Sequence, residues 1–392
     1  MLQKTVIVAA KRTPIGSFLG SLASIPAPRL ASTCIQRILT DTQLSSNAIE
    51  EIYLGNVLQA GLGQAPAKQA AKFAGLNDSI PCTTINKVCA SGLKAISLAA
   101  QAIATGDRDI VLAGGMENMS QVPHYSHLRK GLKFGNQSLV DGLLLDGLTN
   151  VYDHKHMGVC GDLCAQQYGI SRETQDAFAI HSYEKARTAA STGKFDDEIT
   201  PVATHIKGKE LLVSEDEEYQ HFRPEKFPQL RPAFSKNGTV TAANASTLND
   251  GAACLLLMSA TKAQSLGLSP LVEIIAYEDT SQSPEHFTTS PTHATHAVLR
   301  KAQLPISAID FFELNEAFSV VGLANAQLLG IPLEKINIHG GAVSIGHPLG
   351  CSGARIVVSL IHILKQQQAS YGLAAICNGG GGATALIIKN IT

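Results

Sequence analysis

The sequence predicts an α/β fold made of two copies of one βαβα unit, and three observations carry that expectation. Apolar extended runs alternate with helical runs over residues 1–119, the pattern of a largely parallel sheet covered by helices. The same order of runs returns over residues 269–392, as a duplicated unit would. Between the two, residues 120–246 hold turn residues, histidines and an acidic run, and follow neither pattern.

Taken in order, the first half opens with a strand from Thr5 to Ala10 and a turn from Lys11 to Gly16. A helix from Arg29 to Leu39, a strand from Ile52 to Leu58 and a helix from Ala67 to Ala74 follow, the last closed by Gly75 as a C′ glycine. Thr83 to Ile85 is extended, a tight turn carries Cys89, and Leu93 to Ala104 is helical. That helix is apolar nearly all round and is expected to be buried. The strand from Ile110 to Ala113 runs into Gly114-Gly115.

The inserted stretch contains a helix from Thr174 to Ala190, and its run Glu215-Asp216-Glu217-Glu218 reads as a solvated face. A strand from Ala252 to Met258 brings the chain back. The second half then gives a strand from Leu271 to Ala276, a helix from His293 to Ala302, and a strand from Ile309 to Leu314 leading into Asn315-Glu316-Ala317-Phe318. A helix from Val320 to Leu329 stops at Gly330. Ile336 to His339 parallels the segment before Cys89, Gly350 to Leu364 parallels the buried helix, and Leu373 to Cys377 parallels the strand after it. Two such sheets stacked about a shared helical layer would bring equivalent strand ends to one central cleft, where α/β sheets bind ligands.

With 392 residues, a formal net charge of −1 and no Trp, the composition gives no argument for nucleic-acid or membrane binding. No apolar run is read as long enough to span a bilayer. Residues 1–10 run straight into a strand, which leaves no room for a signal peptide. Eight scattered cysteines do not look like a disulfide framework, so a reducing, cytoplasmic compartment is expected.

Four loops carry chemistry-bearing residues: Cys89, Asn315 to Phe318, Gly346-His347-Pro348-Leu349-Gly350, and Cys377-Asn378-Gly379-Gly380-Gly381-Gly382. Each has a bland alternative. Cys89 could be a small core residue, His347 a satisfied turn histidine, Asn315 a helix cap, and the glycine run a sharp turn. Just ahead of a helix, Cys89 would meet unpaired N–H groups that lower its thiol pKa. Together the loops supply a nucleophile, a base, a second thiol and N–H donors for an oxyanion, the parts of covalent acyl transfer from a thioester. Neither glycine run is a phosphate loop. His154, His156, Cys160 and Cys164 lie close in sequence, but their spacing is not that of a common zinc site, and no metal is expected.

These loops, with Ala10 to Gly16, Asn86 to Gly92, Gly114 to Ser120 and Asn244 to Ser246, resemble the thiolase family over essentially the whole chain. The resemblance implies two βαβαβαββ halves in a five-layered αβαβα arrangement. They would comprise residues 1–119 plus 247–268 and residues 269–392, with 120–246 as a loop domain over the cleft. It implies that Cys89 becomes acetylated, that His347 activates it, and that Cys377 moves the α-proton of a second acetyl-CoA. Asn315, through a water, would form one oxyanion hole with His347; the backbone N–H groups of Cys89 and Gly379 would form the other. His156 and Met157 resemble the acetoacetyl-CoA-type members, in which they narrow the acyl pocket. Leu148, Met157, Phe234, Ala242, Ser246, Leu248 and Phe318 match positions lining the pantetheine channel. Where many members carry Arg or Lys after the equivalent of Tyr219, Gln220 and His221 stand here, and Cys160 and Cys164 also depart from the usual pattern. The implied reaction is ping-pong condensation of two acetyl-CoA to acetoacetyl-CoA and CoA, reversible and without a cofactor. The implied assembly is a homotetramer using part of 120–140. A longer-chain 3-ketoacyl-CoA thiolase, a Cys–His hydrolase and a non-catalytic acyl-CoA-binding protein are the alternatives.

Overall fold

A computed structural model describes residues 2–206 and 208–392. The first half runs β1 (Thr5–Arg12), α1 (Ala27–Thr42), β2 (Glu51–Gly55), α2 (Pro66–Phe73), β3 (Cys82–Ile85), α3 (Ser91–Thr105) and β4 (Ile110–Asn118). The insertion carries α4 (Met157–Tyr168) and α5 (Arg172–Ser191), and the chain returns as β5 (Asn249–Ser259). The second half runs β6 (Val272–Ser281), α6 (Ser290–Ala302), β7 (Phe311–Leu314), α7 (Ser319–Leu329), α8 (Leu349–Gln367), β8 (Tyr371–Asn378) and β9 (Gly382–Asn390).

The two half-sheets have matching orders, β1-β5-β4-β2-β3 and β6-β9-β8-β7, and meet edge to edge where Val6 faces Glu273 and Ile7 faces Val272. Each is mixed rather than largely parallel. The last strand of each half enters without a crossover helix: β5 comes back from the insertion and β9 turns straight out of β8, so both run antiparallel to their neighbours. The second half's third strand shrinks to one bridge, Ile336 to Phe312. Beyond it Asn337 takes a positive φ of 46°. Its side chain then makes strand-like bonds, to the Leu314 N–H at 2.9 Å and the Leu314 carbonyl at 2.8 Å.

Five layers result. α1 and α2 cover one sheet, α6 and α7 cover the other, and α3 and α8 fill the space between. Covered on both faces, β4 and β5 are buried at every residue. The stretch Val88–Thr105 is long and apolar enough to cross a membrane by length and composition, contrary to the expectation of no such run. It is α3, whose apolar surface meets protein on both sides in the middle layer.

The first turns of α3 and α8 touch through glycines. A Cβ on Gly92 would lie 2.8 Å from the Ala354 nitrogen and 2.9 Å from the Gly350 oxygen, and one on Gly353 2.5 Å from the Leu93 nitrogen. Backbone meets backbone there, and only hydrogen fits. The crossing sets the loop ahead of α3 beside the loop ahead of α8.

The acidic run is not a solvated face. Asp216 is fully buried and accepts from both terminal nitrogens of the Arg12 guanidinium, at 2.6 and 2.9 Å. Glu217 accepts from the Ser17 and Ser21 N–H groups, Glu218 accepts from the Asn249 amide at 2.9 Å, and Glu215 alone of the four is exposed. A buried charge needs a partner, and Arg12, two hundred residues away, gives no sign of itself in a local charge pattern.

Candidate active site

A cavity of about 570 Å³ lies between the insertion and the strand ends of both halves. Cys89, His347 and Gly379 line it, as do Leu148, His156, Met157, Phe234, Ala242, Ser246, Leu248 and Phe318. The turn before Cys89 is held by local bonds. Val88 sits at φ 48°, its N–H donates to the Asn86 side chain at 3.0 Å, and the Lys87 N–H donates to the Ser91 hydroxyl at 2.8 Å. The Lys87 ammonium reaches across the halves to Asp279 and to the Thr384 hydroxyl. Burial works against the Asp279 carboxylate, but Lys87, Lys94 and Thr384 hold its pKa down to about 2. Cys89 itself is half-buried, with its sulfur reached by its own backbone N–H and that of Gly379.

His347 is 5% exposed. Its backbone N–H donates to the Asn249 side chain at 2.8 Å, and Nδ1 lies 2.6 Å from the Ser352 hydroxyl. That hydroxyl spends its proton on the Pro348 carbonyl at 2.9 Å. Its oxygen therefore accepts from Nδ1–H, and Nε2 keeps a free lone pair. Nε2 has no partner among the described residues, nor do the two polar side-chain atoms of Asn315. Asn315 does not cap a helix, since α7 begins after Phe318. The glycine run is the β8–β9 turn, with Gly380 and Gly381 at φ 85° and 89°, and it also delivers the Gly379 N–H.

Cys377 and Asn315 stand behind the lining, each 1% exposed. Cys377 shares an apolar cluster with Met157, Cys160, Cys164 and Phe318. Its thiol is driven up by burial, then by the neighbouring Cys89 sulfur. Cys160 and Cys164 are thus packing residues of α4. Among the described residues no group including His154 or His156 could hold a metal ion. His156 caps α4, with Nδ1 accepting from the Gly158 N–H at 3.0 Å, and stacks on Phe234 at 4.5 Å. A Cβ on Gly158 would lie 2.2 Å from the Phe234 ring.

The expectation of a lowered Cys89 pKa is overturned. Burial pushes the thiol up to about 12, against the Gly379 and Cys89 N–H groups, and the Glu117 charge adds to the rise. Burial pulls His347 down to about 3, helped by Arg355. Desolvation outweighs the helix start, so the resting pair is a neutral thiol and a neutral imidazole.

Ser352, Asn249 and Glu117 were not picked out from the sequence. Glu117 is fully buried, accepts from the Val57, Leu58 and Gly350 N–H groups, and is raised to about 7 by burial against those bonds. Ser352 had a usable signal, standing five residues after His347 in the first turn of the next helix. Glu117 lay inside the Gly114–Ser120 run without being singled out, and Asn249, on a distant strand, had no signal.

A thiol on a fixed turn, a base with its lone pair free, and N–H donors on the sulfur are the parts of covalent acyl chemistry on a cysteine, and the comparisons with known proteins make it an acyltransferase. Family models match the thiolase N-terminal domain over residues 5–261 and the thiolase C-terminal domain over residues 268–390. The acetyl-CoA acetyltransferase of Schizosaccharomyces pombe is 51% identical over 98% of this chain and 98% of its own length. The mitochondrial acetyl-CoA acetyltransferase of Rattus norvegicus is 51% identical over 100% of this chain and 92% of its own length. Among solved structures, an Ascaris suum thiolase in complex with coenzyme A superposes with a TM-score of 0.95 at 44% identity, covering 99% of this chain and 100% of its own. The Bacillus anthracis acetyl-CoA acetyltransferase gives 0.97 at 38% identity, covering 100% and 99%. This chain belongs to the thiolase family, and its fold is the thiolase fold.

Proposed function

We propose that this chain is an acetyl-CoA C-acetyltransferase, joining two acetyl-CoA into acetoacetyl-CoA and CoA, and reversing that step by thiolysis. The observation that carries the reading is the half-buried Cys89 thiol sharing one apolar cavity with the His347 imidazole, with the Cys377 thiol in the wall behind. As the Cys89 sulfur attacks the thioester carbonyl, its proton passes to His347 Nε2. The carbon–sulfur bond to CoA breaks, and the departing CoA thiolate takes the Cys377 proton. That leaves acetyl-Cys89, an imidazolium and a Cys377 thiolate. The thiolate removes the α-proton of a second acetyl-CoA, and the resulting enolate attacks the acetyl carbonyl. The Cys89 sulfur leaves and recovers its proton from His347, so every group ends as it began. No cofactor enters this cycle.

The N–H groups of Cys89 and Gly379 serve the oxyanion of acyl-Cys89 chemistry, while His347 with Asn315 serves the enolate oxygen. The stacked His156 and Phe234, with Met157 and Phe318, narrow the acyl end and favour the two-carbon acyl group. Comparing rates on acetoacetyl-CoA and a medium-chain 3-ketoacyl-CoA tests that preference. The remaining channel residues fit the pantetheine arm.

Incubation with acetyl-CoA followed by peptide mapping should place the acetyl group on Cys89 and find none in Cys89→Ala. An adduct on another cysteine would overturn the assignment. All eight cysteines are unpaired, which supports a reducing compartment. The cytoplasm remains our placement, beside relatives named as mitochondrial; fractionation decides between them. We read the assembly as a homotetramer, supported by the exposed Leu128, Leu132, Phe134 and Leu139. Light scattering on the purified chain checks it.

A further inference from the structure

Glu313 and Arg355 are buried polar side chains that the proposed reaction does not use, each 1% exposed. Glu313 stands on β7 two residues before Asn315, and Arg355 stands on α8 eight residues after His347. Phe311 packs with the middle layer, whereas Phe312 and Leu314 pack with α6 and α7. Side chains alternate along a strand, so Glu313 shares the face of Phe311 and points at α8. There Arg355 Nη1 donates to Glu313 Oε2 at 3.2 Å, the one side-chain hydrogen bond between β7 and α8 among the described residues.

The two loops that this bond flanks are otherwise anchored apart. The His347 N–H donates to the Asn249 side chain and the Gly350 N–H to Glu117, both on strands of the first half. The Asn315 N–H donates to the Ala375 carbonyl at 3.0 Å, on β8 of the second half. Two contacts join the loops. Ahead of His347, Glu316 accepts from the Val343 N–H at 3.2 Å; behind it, Arg355 holds Glu313. The second contact adds little stability. Arg355 Nε and Nη2 and Glu313 Oε1 have no partner among the described residues, and one bond returns less than burying a guanidinium costs. Burial pushes the Glu313 carboxyl up to about 8 against the Arg355 charge, with Glu316 and Glu198 adding to the rise. Charged or neutral, its oxygen accepts from Arg355. What the bond supplies is a fixed separation between a strand end and a helix.

We propose that Glu313 and Arg355 are positioning residues for the condensation step. Their bond sets the strand end that carries Asn315 against the helix that follows His347, and so fixes the spacing of the two groups facing the enolate oxygen. This rests on the roles given above to Asn315 and His347. The Arg355 charge acts on His347 in the opposite sense. Burial first, and then that charge, disfavour the imidazolium. Removing the charge eases protonation, so a slower enolate step after its removal points to geometry.

The double variant Glu313→Leu/Arg355→Met tests this, read as deuterium uptake into the acetyl methyl group of acetyl-CoA in heavy water. Uptake should fall about ten-fold or more, while Cys89 acetylation stays within about threefold of the wild type. Thermal melting should show the double variant folded and no less stable than the wild type. Glu313→Gln, whose amide oxygen accepts the same bond, should keep uptake within about threefold. Wild-type uptake in the double variant overturns the inference, as does an equal fall in acetylation, or a fall in Glu313→Gln as large as in the double variant. A double variant that does not fold overturns it too, since the pair would then serve stability. Asn315→Ala separates the two readings. Slow uptake there beside wild-type uptake in the double variant removes the positioning pair alone. Wild-type uptake in Asn315→Ala removes the enolate role of Asn315, and the inference with it.

Discussion

Cys89 stands two residues ahead of α3, where the exposed N–H groups of a helix start ordinarily favour a thiolate. Burial prevails instead, and the same burial keeps His347 unprotonated to about pH 3. A histidine depressed in this way keeps its base form far below the usual histidine range of about 6.5. The rate of Cys89 acetylation at low acetyl-CoA, read as kcat/KM, should therefore stay level from pH 7.5 to pH 5.5. Glu117, raised to about 7, titrates in the same window, so a half-maximal loss near pH 6.5 that persists in Glu117→Gln would show that His347 titrates as an ordinary histidine. Ser352 holds the tautomer that leaves Nε2 open. Ser352→Ala should cut kcat about ten-fold with KM for acetyl-CoA nearly unchanged, a loss of about 1.4 kcal/mol in the transition state; stopped-flow acetylation measures it. Cys89, His347 and Cys377 were legible as candidates because each stands in a run with its own signature, Cys89 just past a strand, Cys377 near the end of one, and His347 just ahead of α8. The direction of the Cys89 shift was not legible, since desolvation depends on what the insertion lays over the turn.

At the scale of elements, the contact between α3 and α8 does the positioning. Gly92 and Gly353 let two backbones meet, so the loops ahead of both helices face one another. Gly92→Ala forces a Cβ against the Ala354 nitrogen and Gly350 oxygen. It should cost about 1–3 kcal/mol of stability, seen as a lower denaturant midpoint, and lower acetylation more than the stability loss alone explains. Periodicity revealed both helices and their burial, because an apolar helix has one address in an α/β fold. It could not reveal that Asn337 replaces a strand with one side chain, nor that Arg12 draws Asp216 inside. Those bonds join residues far apart in the chain, and only the assembled fold brings them together.

For the whole molecule, the duplication was legible as a repeat, and the insertion as its interruption. The mixed sheets were not, because strand direction follows from how β5 and β9 enter rather than from their composition. The same entry route has a consequence during synthesis. β5 occupies the place between β1 and β4, yet it leaves the ribosome only after the whole insertion has been made. At about 5–20 residues per second, β1 and β4 wait on the order of ten seconds with their inner edges bare. Nascent chains stalled before residue 249 should be open to protease and bind chaperones, while chains stalled well past residue 259 should resist. The cell pays for this active site in folding assistance, because the strand that closes the first sheet is the last of that sheet to arrive.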